Sequence, residues 1–274
     1  MGAFEFMGIL VRFRRPAALI ACAALCFSTA IISENAAAEC VPSEDTCAPK
    51  KKVGEWDSSA LIGFNLTQGN SETTLLTLGL KAALDKDGNV IDLAADYGYG
   101  EDKALDSEEN GDTSRNDFRA AARYDRILGE RFYVGFGAKF LYDEIADVDY
   151  RVNMDPNVGY YLLRDNSFKL RLEGGPSYVF EKVGGEEDDY FAPRLGDRFE
   201  WAITCTSKIY QQAEVLFDAS DSDNYLVNAE VGIEAAIATN LALAFIIRET
   251  FDNQPAAGRE KDDLAIISSL KVSL

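Results

Sequence analysis

The chain has 274 residues, 47% of them hydrophobic, and its mean hydropathy of −0.13 is too polar for a bundle of membrane-spanning helices. Its 27 basic and 46 acidic residues give a net charge of −19, which disfavours binding to nucleic acid. The sequence has no histidine, and this excludes Ser–His or Asp–His catalysis, histidine metal ligands and a histidine pH switch.

Residues 1–38 have the pattern of a cleaved signal peptide. Three arginines within 12–15 precede an apolar run over 17–32, and alanines at 36–38 provide the small residues for cleavage. The run is shorter than the roughly 20 residues that a spanning helix needs, which favours cleavage over a membrane anchor. We therefore expect export through the inner membrane, with residues 39–55 forming a periplasmic segment.

Five cysteines are present, and Cys22 and Cys26 leave with the signal peptide. Cys40 and Cys47 lie close together in a polar segment, so a short-loop disulfide is plausible in an oxidising compartment. Metal binding is the weaker interpretation, because two thiols provide half of a tetrahedral zinc site. Cys205 falls in a predicted strand, and we interpret it as an inert residue there.

From Trp56 onward, apolar residues recur at every second position almost throughout, which predicts β-strands with one apolar face. No long amphipathic helix pattern appears. The pattern predicts about twelve strands of roughly ten residues. They cover 57–67, 74–84, 91–99, 115–125, 132–142, 150–162, 168–180, 191–203, 209–217, 225–237, 241–251 and 263–274.

The connections between these strands alternate in kind. One set is short, at 85–89, 127–130, 164–166, 207–208 and 238–240. The other set is generally longer and includes acidic loops at 101–113, 143–149 and 182–189. Short periplasmic turns and long external loops are typical of bacterial outer-membrane barrels, which have an even number of strands. The sequence therefore predicts a closed antiparallel up-and-down transmembrane β-barrel over residues 56–274, in which the last strand pairs with the first.

The polar faces of the strands distinguish a barrel from a two-sheet sandwich. A sandwich would place the charged face outside and aromatic residues in its centre. Here aromatic residues fall near strand ends, at Trp56, Tyr142, Tyr150, Tyr190 and Trp201, as in the interfacial girdles of membrane barrels. The charged faces are therefore expected to form a lumen network. Its predicted members are Asp92, Asp96, Arg115, Asp117, Arg119, Arg123, Arg151, Asp155, Arg171, Glu173, Arg194, Arg198, Glu200, Glu230, Glu234 and Arg248.

At this point the chain resembles the family of salt-induced outer-membrane proteins, over residues 56–274. The resemblance rests on Trp56, Leu66–Thr73, Asn240–Leu243, Asp252–Gly258 and the Asp262–Asp263 pair. It implies an outer-membrane barrel domain of unknown function, in contact with outer-membrane lipid and assembled by the barrel-assembly machinery. Chains of this family usually end on an aromatic residue, whereas this chain ends on Leu274.

The first functional hypothesis is a structural barrel or a passive narrow pore, linked through the resemblance to envelope or salt stress. No catalytic residue and no cofactor are expected. Twelve strands enclose a lumen between that of a plugged eight-stranded barrel and that of a sixteen-stranded porin. Whether it conducts depends on how completely the side chains fill it. The acidic loops would favour small cations at the mouth.

Two alternatives remain open. The first is a surface-interaction protein that binds divalent cations or partners through the acidic loops 101–113, 143–149 and 186–189, because calcium prefers clustered oxygen ligands. No recognised calcium spacing supports it. The second is an outer-membrane hydrolase that uses a Ser–Lys or paired-carboxylate site, since histidine is absent.

Overall fold

The computed structural model describes residues 54–67, 71–104, 112–165, 167–221 and 223–274. The predicted signal peptide, the Cys40–Cys47 pair and most of the predicted segment 39–55 lie outside the described residues. Most of the predicted acidic loop 101–113 lies outside them as well. In the described part of the chain, no helix is long and apolar enough to span a membrane.

Twelve antiparallel strands form one closed barrel in which each strand pairs with its neighbours in sequence and β12 pairs with β1. This confirms the predicted fold class. The bounds are β1 (Trp56–Thr67), β2 (Ser71–Lys86), β3 (Asn89–Ala104), β4 (Asp112–Leu128), β5 (Phe132–Asp143), β6 (Val148–Arg164), β7 (Phe168–Val183), β8 (Glu186–Ala202), β9 (Ser207–Phe217), β10 (Tyr225–Ala238), β11 (Leu241–Asp252) and β12 (Asp262–Ser273).

Several strands are longer than the roughly ten residues that the pattern predicted. β4, β6 and β8 have 17 residues each. The predicted acidic loop 182–189 is wrong, because β7 and β8 are joined directly by Gly184 and Gly185, whose φ angles are 61° and 83°. A positive φ is readily adopted by glycine, so this pair turns the chain tightly. The acidic residues Glu186–Asp189 continue the ladder with β7 instead.

The barrel has two distinct ends. We call the end with connections 105–111, 218–224 and 253–261 the loop end, and the opposite end, where β1 begins and β12 ends, the turn end. Tight connections such as 87–88 and 239–240 lie at the turn end. Cys205 also lies there, in the exposed β8–β9 turn and not in a strand, and it is disulfide-bonded. The predicted Cys40–Cys47 bond stays a prediction.

The outer surface of the barrel is apolar. Large hydrophobic side chains alternate along the strands and remain exposed, for example Phe64 (64%), Leu80 (59%) and Leu195 (61%). The register places Asp197 on the same face, opposite Leu172 of β7 and Ala213 of β9, but its side chain is buried there. The register of β8 runs through it without interruption, so a bulge at Gly196 does not explain its position.

The inner face holds charged residues together with two apolar clusters. The first cluster contains Val179, Tyr190, Ala192, Leu216 and Leu226 and lies toward the loop end. Tyr190 is therefore an inward residue that is 7% exposed, and its predicted place in an aromatic girdle is wrong.

The second apolar cluster contains Leu61, Ala244, Ile246 and Ile267 and lies inside the wall formed by β1, β11 and β12. This wall includes the seam of the barrel, where Ser59–Ile62 of β1 pair with Leu270–Ser273 of β12 and the Leu274 amide donates to the Ser58 carbonyl. Both apolar clusters occupy lumen space, so the lumen is narrower than the strand count alone indicates.

Candidate functional site

All the predicted lumen residues lie on the face opposite the exposed hydrophobic side chains. Alternation along each strand produces this arrangement, because neighbouring residues point to opposite sides of the wall. On β4, for example, Arg119 and Arg123 are partly buried inside, whereas Phe118 and Tyr124 are exposed outside. Ion pairs then divide the inward residues into groups at the middle, at the loop end and at the turn end.

The middle of the lumen holds one connected set of ion pairs, which we call the central network. It contains four cations and four carboxylates from six consecutive strands, so its formal charges balance. Its members are Arg123 and Asp125 on β4, Lys139 on β5, Asp155 on β6, Arg171 and Glu173 on β7, Arg194 on β8 and Glu214 on β9.

Glu173 is the residue with the most partners in the central network. Arg123 donates two hydrogen bonds to its carboxylate, of 2.9 and 2.6 Å, in the bidentate geometry that suits a guanidinium. Arg194 donates a further hydrogen bond of 2.9 Å, and the Tyr133 hydroxyl donates one of 2.8 Å. Because β4 and β7 are not neighbours, the Arg123–Glu173 pair crosses part of the lumen.

A second crossing joins β5 to β9. The Lys139 ammonium lies 2.5 Å from Glu214 and 3.2 Å from Asp155. Glu214 also receives Arg194 at 3.1 Å, and Asp155 accepts a hydrogen bond of 2.6 Å from Ser177. Lys139 keeps 35% of its side chain exposed, whereas Asp155 keeps only 2%. Lys139 is therefore the member of the network that faces the remaining free lumen.

The predicted residues near the loop end form two groups. Arg151 pairs with Glu181 and, at 2.8 Å, with Asp252 across the lumen. Asp117 receives both of its neighbours on β4, Arg115 and Arg119.

Nearer the turn end, Arg198 pairs with Glu200 at 2.8 Å. Glu234 receives Lys271 at 2.9 Å and Lys208 at 3.3 Å.

Arg248 links β11 to two other strands, with 2.8 Å to Glu230 and 3.8 Å to Asp96. Asp92 lies opposite Arg123 in the β3–β4 register.

Sequence reasoning missed several members of the central network. Lys139 is the one charged residue in the middle of the inward face of β5, between Gly137 and Leu141, so this strand shows little charge pattern. Glu214 lies on β9, where the alternation is weak. The alternation of the two strands could have identified both residues. Lys139, for example, is next to Phe140, an outward-facing residue, and must therefore point inward.

The loop 218–224 at the loop end is organised around Asp218, whose side chain is almost fully buried. Its carboxylate accepts hydrogen bonds from the Ser220 amide and hydroxyl, both 2.7 Å, and from Asn224 at 3.3 Å. Burial alone would raise the pKa of Asp218, but these hydrogen bonds outweigh it, so the pKa is lowered. Among the described residues, no group of three acidic, cysteine or histidine side chains could hold a metal ion.

An apolar outer surface around a charged interior defines the class of transmembrane β-barrels. The chain belongs to the family described as "Protein of unknown function, DUF481", whose sequence profile matches residues 60–274. No curated protein matches the chain.

The fold is similar to solved structures of bacterial barrels. The COG4313 outer membrane channel from Pseudomonas putida F1 has 11% identity and a TM-score of 0.48, with 86% of this chain and all of that chain covered. The NanC porin has 9% identity and a TM-score of 0.48, over 79% and 99% of the two chains. The KdgM porin has 8% identity and a TM-score of 0.44, over 80% and 99%. No conclusion about function follows from similarity at this level.

Proposed function

We propose that the protein is an outer-membrane β-barrel that acts as a narrow passive pore, with the central network as its constriction. The observation that carries this proposal is the crossing of the lumen by Arg123–Glu173 and Lys139–Glu214. These ion pairs place side chains across the lumen and so narrow the polar path through it. The part of the lumen that they leave open can hold water, because exposed charged groups such as the Lys139 ammonium line it.

The outer-membrane location is supported by the outer surface of the wall. Exposed Leu, Ile and Phe side chains around a closed ring of strands fit lipid tails, because a closed barrel leaves no unpaired sheet edge in the hydrocarbon region. In such barrels the longer connections face outside the cell. The loop end would then be extracellular, and the turn end periplasmic.

A conductance measurement on the refolded protein tests the pore. The wild type should give small unitary steps in a planar bilayer. Lys139→Ala should give larger steps, because it removes the side chain that projects into the free lumen. Lys182→Ala is the matched control: this lysine lies outside the lumen, pairs with Asp149 at 2.9 Å, and should leave the conductance unchanged.

The absence of channel activity from both the wild type and Lys139→Ala would contradict the pore. In that case a structural role would be favoured. Equal conductance of the wild type and Lys139→Ala would instead contradict the position of the constriction.

The proposed role is not enzymatic, because the chain has no histidine and the carboxylates Glu173 and Glu214 of the central network are held in ion pairs. Hydrolysis of lipid or peptide by the pure protein, lost on a single Asp→Asn change, would favour the hydrolase alternative. The link to salt stress rests on the family resemblance. Protein levels in cells grown at low and high salt test it.

A further inference from the structure

The loop 253–261, which joins β11 to β12 at the loop end, lies against other connections of the barrel. Near its middle, Ala256 is only 7% exposed, whereas its neighbour Ala257 is exposed. The Ala256 methyl faces the turn between β7 and β8, where a Cβ added to Gly184 would be 3.3 Å away from it. The Gly184 amide donates a hydrogen bond of 2.9 Å to the Asp147 carbonyl in the β5–β6 turn. Three connections therefore meet at one point.

This meeting point requires the loop to cross part of the mouth. Around the rim, the connection 218–224 lies between the β11–β12 loop and the β7–β8 turn. β8 pairs with β7 from Glu186 onward, but its ladder with β9 begins at Arg194. The β7–β8 hairpin thus extends beyond the end of β9. Tyr190 and Ala192, on the inner face of this extension, are buried. The loop therefore reaches the hairpin tip over the inner side of the mouth.

The base of the loop is held from across the lumen. Asp252, the last residue of β11, accepts a hydrogen bond of 2.8 Å from Arg151 of β6. Arg151 also pairs with Glu181, and only 8% of its side chain is exposed, so its position is well fixed. The Asp252 amide donates to the Lys261 carbonyl at 2.9 Å, and the Gln254 amide donates to the Asp252 carboxylate at 2.9 Å. These bonds direct the first residues of the loop toward the lumen.

The rest of the loop is held by a few exposed polar contacts. The Gln254 side chain donates a hydrogen bond of 2.9 Å to the Asp221 carboxylate, and the Asn253 side chain donates one of 2.6 Å to the Asp223 carbonyl. Water competes for exposed hydrogen bonds, so each of them stabilises the loop only modestly. These contacts lie outside the ladder of the barrel wall. The loop can therefore leave the hairpin tip while the wall stays intact.

We propose that the loop 253–261 is a lid over the loop-end mouth of the pore. The lid is closed when Ala256 lies against Gly184, and the path widens when this contact is lost. Moving elements of proteins are drawn from segments of low local stability, and this loop is one. The lid rests on the proposed pore, but it assigns control of flow to the mouth and not to the central network.

Ala256→Gln tests the lid, and Ala257→Gln is the matched control, because the same side chain is added to the exposed neighbour. A glutamine at position 256 does not fit against Gly184 and should displace the lid. In a planar bilayer, Ala256→Gln should increase the unitary conductance at least two-fold, and Ala257→Gln should leave it unchanged.

Limited trypsin digestion of the full-length refolded protein gives a second measurement that does not depend on conduction. Arg259 and Lys261 are exposed trypsin sites within the lid, and a displaced loop is cut more readily. Ala256→Gln should be cleaved there at least five-fold faster than the wild type. Ala257→Gln should be cleaved at the wild-type rate.

Equal cleavage rates in the two variants would overturn the closed position of the lid. Faster cleavage of Ala256→Gln without a change in conductance would overturn its control of a conducting pore. Faster cleavage with no channel in any variant would contradict the pore, and with it the gating role. The heat-dependent shift of the folded band in gels verifies folding. If Ala256→Gln does not fold, Gln254→Ala, which removes the hydrogen bond to Asp221, should increase both cleavage and conductance, and no increase in either would overturn the proposal.

Discussion

Arg123 and Glu173 meet across the lumen from β4 and β7, joined by two hydrogen bonds of 2.9 and 2.6 Å. The same carboxylate receives Arg194 and Tyr133, and Arg171 lies 4.0 Å away. One carboxylate therefore compensates the charges of several buried cations. This makes Glu173 the residue on which the central network depends most.

Glu173→Gln should destabilise the barrel strongly. The change leaves buried arginines short of a counter-charge, and breaking a buried ion pair on one side costs about 3–5 kcal/mol. The free energy of unfolding in urea, followed by the mobility shift of the folded band, measures the loss. Glu200→Gln is the control, because among the described residues Arg198 is its one ion-pair partner and both side chains are 38% exposed.

The Glu200→Gln control should lower the free energy of unfolding by no more than about 1 kcal/mol, as expected for a solvent-exposed ion pair. A Glu173→Gln variant as stable as the control would show that the three arginines are compensated by other carboxylates. The central network would then not depend on a single residue.

Glu214→Gln should change the ion selectivity of the pore. The central network has equal numbers of cations and carboxylates, so neutralising Glu214 leaves an excess positive charge beside Lys139 and Arg194. Anions should therefore be favoured at the constriction. The reversal potential in a salt gradient measures this, and Lys139→Ala should shift it in the opposite direction.

A reversal potential that is the same in the wild type and both variants would contradict this account. It would show that ions pass at a distance from the central network. The loops at the mouth would then determine any selectivity.

The sequence predicted the barrel well because alternation is a local property of each strand. Leu76, Leu78 and Leu80 mark the outward face of β2 directly in the sequence, and they are outward-facing in the structure. The ends of strands were harder to predict. Glu186–Asp189 have loop-like composition, yet their backbone hydrogen bonds with β7 hold them in β8.

The partners within the lumen could not be predicted from the sequence. Alternation determines that Arg123 and Glu173 point inward, but their meeting depends on the diameter and stagger of the closed barrel. Lys139 and Glu214 are separated by 75 positions and by three intervening strands. No local sequence pattern indicates a contact between residues so far apart in the chain.

Gly159→Ala should destabilise the barrel through Tyr133. The Tyr133 side chain is 1% exposed and lies over Gly159 on the neighbouring strand, so a Cβ at this position would overlap its ring. Overpacking of this kind costs about 1–3 kcal/mol. Unfolding in urea measures the cost, and the hydrogen bond from Tyr133 to Glu173 should weaken as the ring moves.

Gly137→Ala is the matched control on β5. The nearest atom to a Cβ there is the Asp155 Cβ at 3.6 Å, an ordinary contact. This variant should therefore be as stable as the wild type to within about 0.5 kcal/mol. A similar loss of unfolding free energy in both variants would contradict this account. It would show that an added side chain in this part of the lumen destabilises the barrel whether or not it contacts Tyr133.

Asp218 should make the loop 218–224 sensitive to acid. Its pKa is lowered in the folded state, because hydrogen bonds from Ser220, the Asp221 amide and Asn224 outweigh the effect of burial. A lowered pKa adds stability that is fully present above the unfolded value of about 3.9 and is lost as the pH falls through the folded value. Asp218→Asn should therefore lower the free energy of unfolding by about 1 kcal/mol at neutral pH.

The difference in unfolding free energy between the wild type and Asp218→Asn should shrink as the pH falls below about 4, where the unfolded chain becomes protonated at Asp218. It should be lost once the pH is below the lowered folded-state pKa, because the carboxyl is then protonated in both states. Urea unfolding at several pH values measures it. Asp223→Asn is the control, since the Asp223 side chain is exposed and its backbone amide donates to Asp221. A difference that persists at low pH would show that the shape of Asp218, and not its charge, organises the loop.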